Sequence, residues 1–220
     1  MNKLIITVRL NEWMMRGANS HIPYTSDEIA ECAAECREAG AAITHVHARL
    51  PDGGKTNSPE LYAEIARKMK ELEVKPLIAC WSIPFLRAVE AFLDMGEFVE
   101  PAMVNLVLCE GGIIGGHRGT SEGLTAYFHA LPPSAKVAWT VCTKKGNILP
   151  VATLAIERGG HLSPGIGDYY YPELGYPTNA ALVRHIASMS KAMGREVATP
   201  DEAREILNMP QRQAVSRRAA

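Results

Sequence analysis

Short apolar runs rich in β-branched residues alternate along the chain with longer stretches of helical periodicity, and a polar turn separates each pair. The first run, Leu4-Ile5-Ile6-Thr7-Val8, is a strand; its helix opens with a capping box of Thr25 and Glu28 and closes at Gly40. The second is Ala42-Ile43-Thr44-His45-Val46-His47, whose helix starts with Ser58 as N-cap and Pro59 behind it, where a missing N–H costs nothing. Pro76 to Trp81 forms a third strand, with a helix ending near Gly96, and Met103 to Leu108 a fourth. A glycine-rich loop from Gly111 to Gly119 and a helix beginning near Ser121 come next. Lys136 to Val141 is a fifth strand with a helix ending at Gly159-Gly160, and His161 to Ile166 is a sixth. A long helix from Thr178 to about Met193 and a last one, boxed by Thr199 and Glu202 and running to about Leu207, complete the pattern.

Strands separated by helices pair in parallel through right-handed crossovers, in a barrel or an open doubly wound sheet. No GxGxxG follows the first strand, and GGIIGGHRG at 111–119 is no P-loop, since His117 stands where the Lys should be. The expectation is therefore a single TIM-barrel-like α/β domain over 1–207, reduced to six readable βα units, with a polar, basic tail at 208–220. A full eight-unit barrel takes roughly 250 residues. A smaller wall leaves edges or apolar surface uncovered, which predicts a homo-oligomer.

Charge narrows the partners. Among 220 residues, 23 Lys+Arg face 24 Asp+Glu, and without a basic stripe there is no footprint for nucleic acid or anionic lipid. The opening MNKLIITVRLNEW lacks the features of a signal peptide, and five scattered cysteines without a CxxC pair argue against a disulfide framework. A cytoplasmic setting is expected.

The sharpest chemical signal is His45-Val46-His47 at the end of the second strand. Residues two apart on a strand project from one face with backbones ~7 Å apart, so both imidazoles can close on one metal ion. In α/β barrels, active sites form at these C-terminal strand ends. A catalytic zinc takes about three protein ligands and keeps one open position. Carboxylates at other strand ends, Glu12, Glu110 and Asp168, are candidates for the third; each also reads as a solvated loop acid.

Several segments taken together resemble the β-keto acid cleavage enzyme family. They are THVHAR after a helix ending EAGAA, IPYTSDEIAE before it, GGH with an Asp seven residues on, and PTNAALV followed by GREVATPDEAREIL. The resemblance implies a TIM barrel that holds a divalent metal, usually zinc, through the HxH pair and a Glu. Such enzymes condense a β-keto acid with acetyl-CoA and cleave the adduct to acetoacetate and a new acyl-CoA. It further implies His45 and His47 as metal ligands, Asp168 as the catalytic acid/base, Arg49 as the Arg after HxH, and Ser82 as a substrate contact. The family segment GGHxRxGxED here reads GGHLSPGIGD, so Gly167 replaces the metal-binding Glu and Ser163 replaces the Arg. Missing length, two βα units, is expected between the fourth strand and Lys136. Glu110 then becomes the replacement metal ligand, with Asp168 its rival, and Glu12 a substrate-binding carboxylate.

Other residues have weaker roles. Cys80, Cys109 and Cys142 near three strand ends could converge as a thiol nucleophile site but read first as packing, as do Cys32 and Cys36 on the first helix. Tyr169, Tyr170, Tyr171 and Tyr176 share one loop that would roof a pocket or form an interface. Lys144 and Lys145, with Arg118, could meet coenzyme A phosphates or form a solvated basic face. Competing functions are a metal-dependent aldolase, isomerase or hydrolase without CoA, and a non-catalytic binding subunit.

Overall fold

The structure is a computed structural model that describes residues 2–12, 14–17, 19–24, 26–45, 77–96, 100–133 and 136–209. Strands β1 (Thr7–Arg9), β2 (Ile43–His45), β3 (Leu77–Cys80), β4 (Ala102–Cys109), β5 (Val137–Lys144) and β6 (His161–Leu162) alternate with helices. These are α1 (Ser26–Glu38), α2 (Ile83–Asp94), α3 (Ser121–Phe128) and α4 (Leu149–Glu157), followed by α5 (Asn179–Ala192) and α6 (Pro200–Ile206). The fold is α/β with parallel pairing throughout the described strands. His47, Arg49, Thr25 and the helix expected after Ser58 lie outside the described residues, as does the tail from 210.

β3, β4, β5 and β6 form one sheet in that order, and β1 pairs with β2 in another. A parallel bridge between Ile6 and Leu162 and a hydrogen bond from Leu162 N to Ile5 O (3.2 Å) join β6 to β1. The succession is thus β3-β4-β5-β6-β1-β2, and β2 and β3 are not neighbours in either sheet. All eight β4 residues are buried, as expected for a parallel strand covered on both faces.

The two faces of this wall are chemically different. Ile6, Val8 and Leu10, then Val104, Leu106 and Leu108, then Val141 and Leu162 point into the main core with the helices. The alternate positions, Thr7 and Arg9, Asn105, Thr140, Cys142 and Lys144, and His161 and Ser163, face the other way by the two-residue period of a strand. At the N-terminal ends of the strands α6 covers this second face. Its Ala203, with Leu207, packs against Ile5 and Met103, and Ile43, Leu77 and Ala138 flank them.

The helix signals hold locally. Thr199 accepts from Glu202 N, Glu202 returns to the Thr199 amide, and Thr178 accepts from Ala181 N. Gly40, at φ +108, ends α1 in a backbone conformation that L side chains rarely adopt. Three strand boundaries differ from expectation. β1 begins at Thr7 rather than Leu4, because Leu4 and Ile6 make only isolated bridges, to Val197 and Leu162. β5 runs three residues further, to Lys144, because it stays paired with β4 up to Cys109. β6 is only two residues long: Ser163 N still bonds Val141 O, but the chain then turns across β1, with Arg9 N bonding Pro164 O at 2.8 Å. The tyrosine loop is also more buried than a surface roof, since Tyr171 is 1% exposed and belongs to the core. No described helix is long and apolar enough to cross a membrane.

Candidate active site

Four buried charged side chains meet at the C-terminal ends of β1, β5 and β6. Glu12 (2% exposed), Asp168, Arg9 and Lys144 come from three separate stretches of chain. Lys144 Nζ lies 2.6 Å from Glu12 Oε2 and 2.9 Å from Asp168 Oδ1. Arg9 pairs with Glu12 through its Nη1, while its Nε donates to Ser163 Oγ at 3.0 Å and stands 3.5 Å from Asp168 Oδ2. His45 Nε2, half-buried at the end of β2, lies 2.9 Å from Glu12 Oε1. Unpaired, each buried carboxylate would cost several kcal/mol, so the two carboxylates and the two basic side chains hold one another in place. Burial pulls the Lys144 pKa below the usual lysine range; Asp168 opposes that shift and Arg9 adds to it.

The local backbone explains why these groups fit. A Cβ at Gly167 would lie 2.7 Å from Asn11 C and Glu12 N, and one at Gly165 would lie 2.0 Å from Arg9 O. The 163–168 segment is small-residued because the β1 end passes directly over it. Glu12 itself has φ +24, an uncommon backbone state for a non-glycine residue. Asn179, the first residue of α5, ties the two segments: its Oδ1 accepts from Ile166 N at 3.1 Å and its Nδ2 donates to Leu10 O at 3.2 Å.

Below the charged group, on the same face, Asn105 Oδ1 and Thr140 Oγ1 are buried without a hydrogen-bond partner, as is Asp168 Oδ2. Such atoms cost about 1–3 kcal/mol each when left unsatisfied, and they are what a polar substrate entering this face would meet.

The structure thus brings together Glu12, His45 and Asp168. Glu110 stands apart: its carboxylate accepts from Gly119 N at 3.0 Å and braces the glycine-rich loop, which folds back so that Cys109 N bonds His117 O. Ser82 precedes α2 as its N-cap, half-buried and without a side-chain cap bond. Lys144 is no part of a solvated basic face; only Lys145 and Arg118 are exposed. Arg9 and Asn179 are absent from the residues expected to carry the chemistry, and Lys144, expected at coenzyme A phosphates or on a solvated face, instead sits buried between the two carboxylates. The thiols of Cys80 and Cys109 are pushed by burial up to about 11, and Cys142 is raised by the same cause, which keeps all three protonated near neutral pH and suits packing.

A zinc or other divalent ion does not fit the described residues. No group of three His, Cys, Asp or Glu side chains among them is placed to hold one. His45 Nε2 faces a Glu12 carboxylate whose other oxygen is taken by Lys144, and two fixed cations stand beside both buried acids.

Comparison with known proteins bears on the same residues. The family model for beta-keto acid cleavage enzymes matches residues 3–71 and 55–209. The chain is 28% identical over 276 aligned positions to the 3-keto-5-aminohexanoate cleavage enzyme of Acetoanaerobium sticklandii, covering 95% of this chain and 99% of that protein. It is 27% identical to the enzyme of that name from Fusobacterium nucleatum, again covering 95% and 99%. With the 3-oxoadipate:acetyl-CoA acetyltransferase of Cupriavidus necator it shares 30% identity over 70% of this chain and 54% of the relative.

An alignment of 276 positions on a chain of 220 residues is gapped inside this chain. The two matched stretches overlap at residues 55–71, so correspondence breaks there, between β2 and β3, where the strand succession is also interrupted. That corrects the expectation of missing length between the fourth strand and Lys136. The segment from β4 to Lys136 lies within one matched stretch, and β4 pairs directly with β5 along its full length. Ser82 follows the break, so its assignment as a substrate contact rests on position alone.

Proposed function

Because the chain belongs to the beta-keto acid cleavage enzyme family, enzymes that act on carbon–carbon bonds, we propose that it condenses a small β-keto acid with acetyl-CoA and cleaves the product to acetoacetate and a new acyl-CoA. The observation that carries this reading is the Asp168 carboxylate, 5% exposed, held between Lys144 and Arg9 at the strand ends.

In this reading Asp168 takes a proton from the methylene carbon of the keto acid. One of its oxygens, Oδ2, has no hydrogen bond and is the atom suited to receive that proton. The enolate oxygen that develops is met by the N–H groups of Lys144 and Arg9, buried and held in place by their carboxylate partners. Glu12 fixes both cations and, through His45, the end of β2. The Thr140 hydroxyl, buried without a partner, offers a donor to the substrate carboxylate or its keto oxygen. Lys145 and Arg118, exposed beside the site, suit the phosphates of a coenzyme A thioester. Ser82 stays a substrate contact by position, and Arg49 and His47 belong to the same proposal from sequence alone. Of the divalent metal that His45, His47 and Glu110 would share, only His45 and Glu110 lie among the described residues, where Glu110 is engaged with Gly119 N, and no step depends on it.

The six strands are read as the wall of a reduced TIM-barrel-like fold. Ile43, Leu77, Met103 and Ala138, from four strands, and Ile5 beside a fifth meet α6 in one cluster, which supports a curled sheet. Exposed Phe85 and Met95 on and after α2, with Ile114 at 97%, support a homo-oligomer. Five free cysteines suit the reducing cytoplasm.

The test is product analysis by mass spectrometry after incubating the protein with acetyl-CoA and a panel of β-keto acids. Acetoacetate and a matching acyl-CoA are expected, and Asp168→Asn should lower turnover by about 10²–10⁴-fold. Products that form without acetyl-CoA, or full activity in Asp168→Asn, would sink the reading.

A further inference from the structure

We propose that the Lys144 ammonium, flanked by the Arg9 guanidinium, is the catalytic cation of this site, and that the protein cleaves its β-keto acid without a divalent metal ion. The proposal rests on the substrate reading above and adds the identity of the group that stabilises the enolate.

Charge balance is the first ground. Glu12 and Asp168 supply two negative charges, and Arg9 and Lys144 supply two positive ones, all four side chains no more than 9% exposed. With His45 uncharged the set is neutral. A divalent ion held by the same carboxylates would bring two further positive charges within a few ångströms of Arg9 and Lys144, which burial makes costly.

Geometry is the second. Lys144 Nζ bridges one oxygen of Glu12 and one of Asp168, at 2.6 Å and 2.9 Å, so it occupies the place between the two carboxylates that a bridging ion would take. Its stem comes from the face of β5 that also carries Thr140 and Cys142, the face a substrate would enter. The third ground is position 167. Any side chain there collides with the Asn11–Glu12 backbone, so a ligand cannot be supplied from that position while β1 keeps its path. The Arg9 Nε on Ser163 Oγ likewise fills the neighbouring space with a guanidinium brought from β1.

The chemistry balances without another reactant. The electron pair of the C–H bond that Asp168 deprotonates forms the new bond to the acetyl carbonyl carbon as coenzyme A leaves as thiolate. The thiolate adds to the keto carbon, the bond between that carbon and the methylene carbon breaks, and its electron pair stays on the methylene carbon as the acetoacetate enolate. The coenzyme A sulfur passes from the acetyl group to the released acyl group. The proton that Asp168 removes is returned at the end, and nothing is oxidised or reduced. The negative charge on the enolate oxygen between those steps is what Lys144 and Arg9 neutralise.

The test uses the full chain, purified without a metal-affinity tag and treated with a chelator. Calorimetric titration with zinc chloride should give well under about one ion per chain, and acetoacetate should bind equally before and after chelation. Lys144→Met should weaken acetoacetate binding by about tenfold or more and raise the affinity for zinc, because Glu12, which also faces His45, and Asp168 are released from the ammonium; Lys144→Arg should restore most of the acetoacetate binding. Tight uptake of one zinc per chain by the native protein, with acetoacetate binding lost on chelation, overturns the proposal and leaves the substrate reading standing. Unchanged acetoacetate affinity in folded Lys144→Met overturns it as well. Failure of acetoacetate to bind the native protein in either state overturns the substrate reading and the proposal with it. If Lys144→Met does not fold, the native titrations still decide.

Discussion

The two ends of the strand wall each bury positive charge, and they neutralise it in different ways. At the C-terminal end Arg9 and Lys144 meet the side-chain carboxylates of Glu12 and Asp168. At the N-terminal end Arg195 meets backbone carbonyls: Nε donates to Asn2 O at 2.8 Å, Nη1 to Gly160 O at 2.5 Å and Ile156 O at 3.1 Å, and Nη2 to Gly159 O and Lys3 O. A carbonyl cannot change its protonation or leave, so the Arg195 end is a clamp that joins the start of β1, the end of α4 and the α5–α6 connection. Carboxylates can accept and release protons and can be displaced by a substrate, so the Arg9 and Lys144 end can do chemistry. In α/β barrels, the architecture proposed for this wall, residues at the C-terminal strand ends serve catalysis and those at the opposite face serve stability.

The strongest way to break this comparison is Arg195→Met. Removing the guanidinium strips the donor from five backbone carbonyls, and at about 1–3 kcal/mol for each one left buried and unsatisfied the loss should reach several kcal/mol, read as a lower urea midpoint with an unchanged slope. The folded fraction should keep its acetoacetate binding. A loss below about 1 kcal/mol, or a parallel loss of substrate binding in protein that remains folded, would show that the two ends are not divided as described.

A smaller effect sharpens the contrast through pH. His161 sits at the clamp, with Nδ1 accepting from Ile5 N at 3.0 Å and Arg195 Nη2 3.4 Å away. Burial first, and the Arg195 charge second, lower its pKa to about 3. In the unfolded chain it takes a proton near pH 6.5 that the native state refuses. This histidine therefore favours folding fully above about pH 6.5, and that contribution declines by up to about 1.4 kcal/mol per pH unit as the pH falls toward 3. Urea unfolding of native protein and His161→Gln between pH 7 and 5 should diverge in slope by about one proton. Equal slopes would mean that His161 titrates normally and that the clamp is open to solvent.

The order of strands and helices was legible because each strand alternates with a helix whose caps are local: Thr199 with Glu202, Thr178, Gly40. His45 and Asp168 were legible as chemistry because a histidine pair and an acid at strand ends stand out against apolar runs. Arg9 and Lys144 were harder to see, although they carry a signal. Thr7 and Arg9 on β1, and Thr140, Cys142 and Lys144 on β5, are non-aliphatic positions two apart, interleaved with Val8 and Val141, which marks one polar face. What no local pattern holds is the crossing of β1 over the 163–168 segment. It depends on the Arg9 to Pro164 hydrogen bond and on the clearance at Gly165 and Gly167, contacts between residues more than 150 positions apart. The place of the missing length was misread for a related reason: β4 and β5 look the same in sequence whether or not other strands once lay between them, and only their direct pairing decides.

The smallest effect tests how far the clamp extends. α6 closes the N-terminal end of the wall, and it is held there by its capping box and by Lys3, whose Nζ lies 2.7 Å from Glu202 Oε1 just before β1. The two side chains are 41% and 34% exposed, so the ion pair itself adds little, and the cap is the larger part. Thr199→Ala removes the acceptor for Glu202 N and should cost about 1 kcal/mol. Because Ala203 and Leu207 pack on Ile5 and Met103, that loss should appear in the global unfolding transition rather than as separate fraying of α6. Hydrogen exchange decides between the two. If α6 amides exchange faster while those of β4 and β5 are unchanged, α6 is a lid that opens on its own; if all three shift together, the N-terminal end behaves as one clamp, and acetoacetate binding at the opposite end should be untouched.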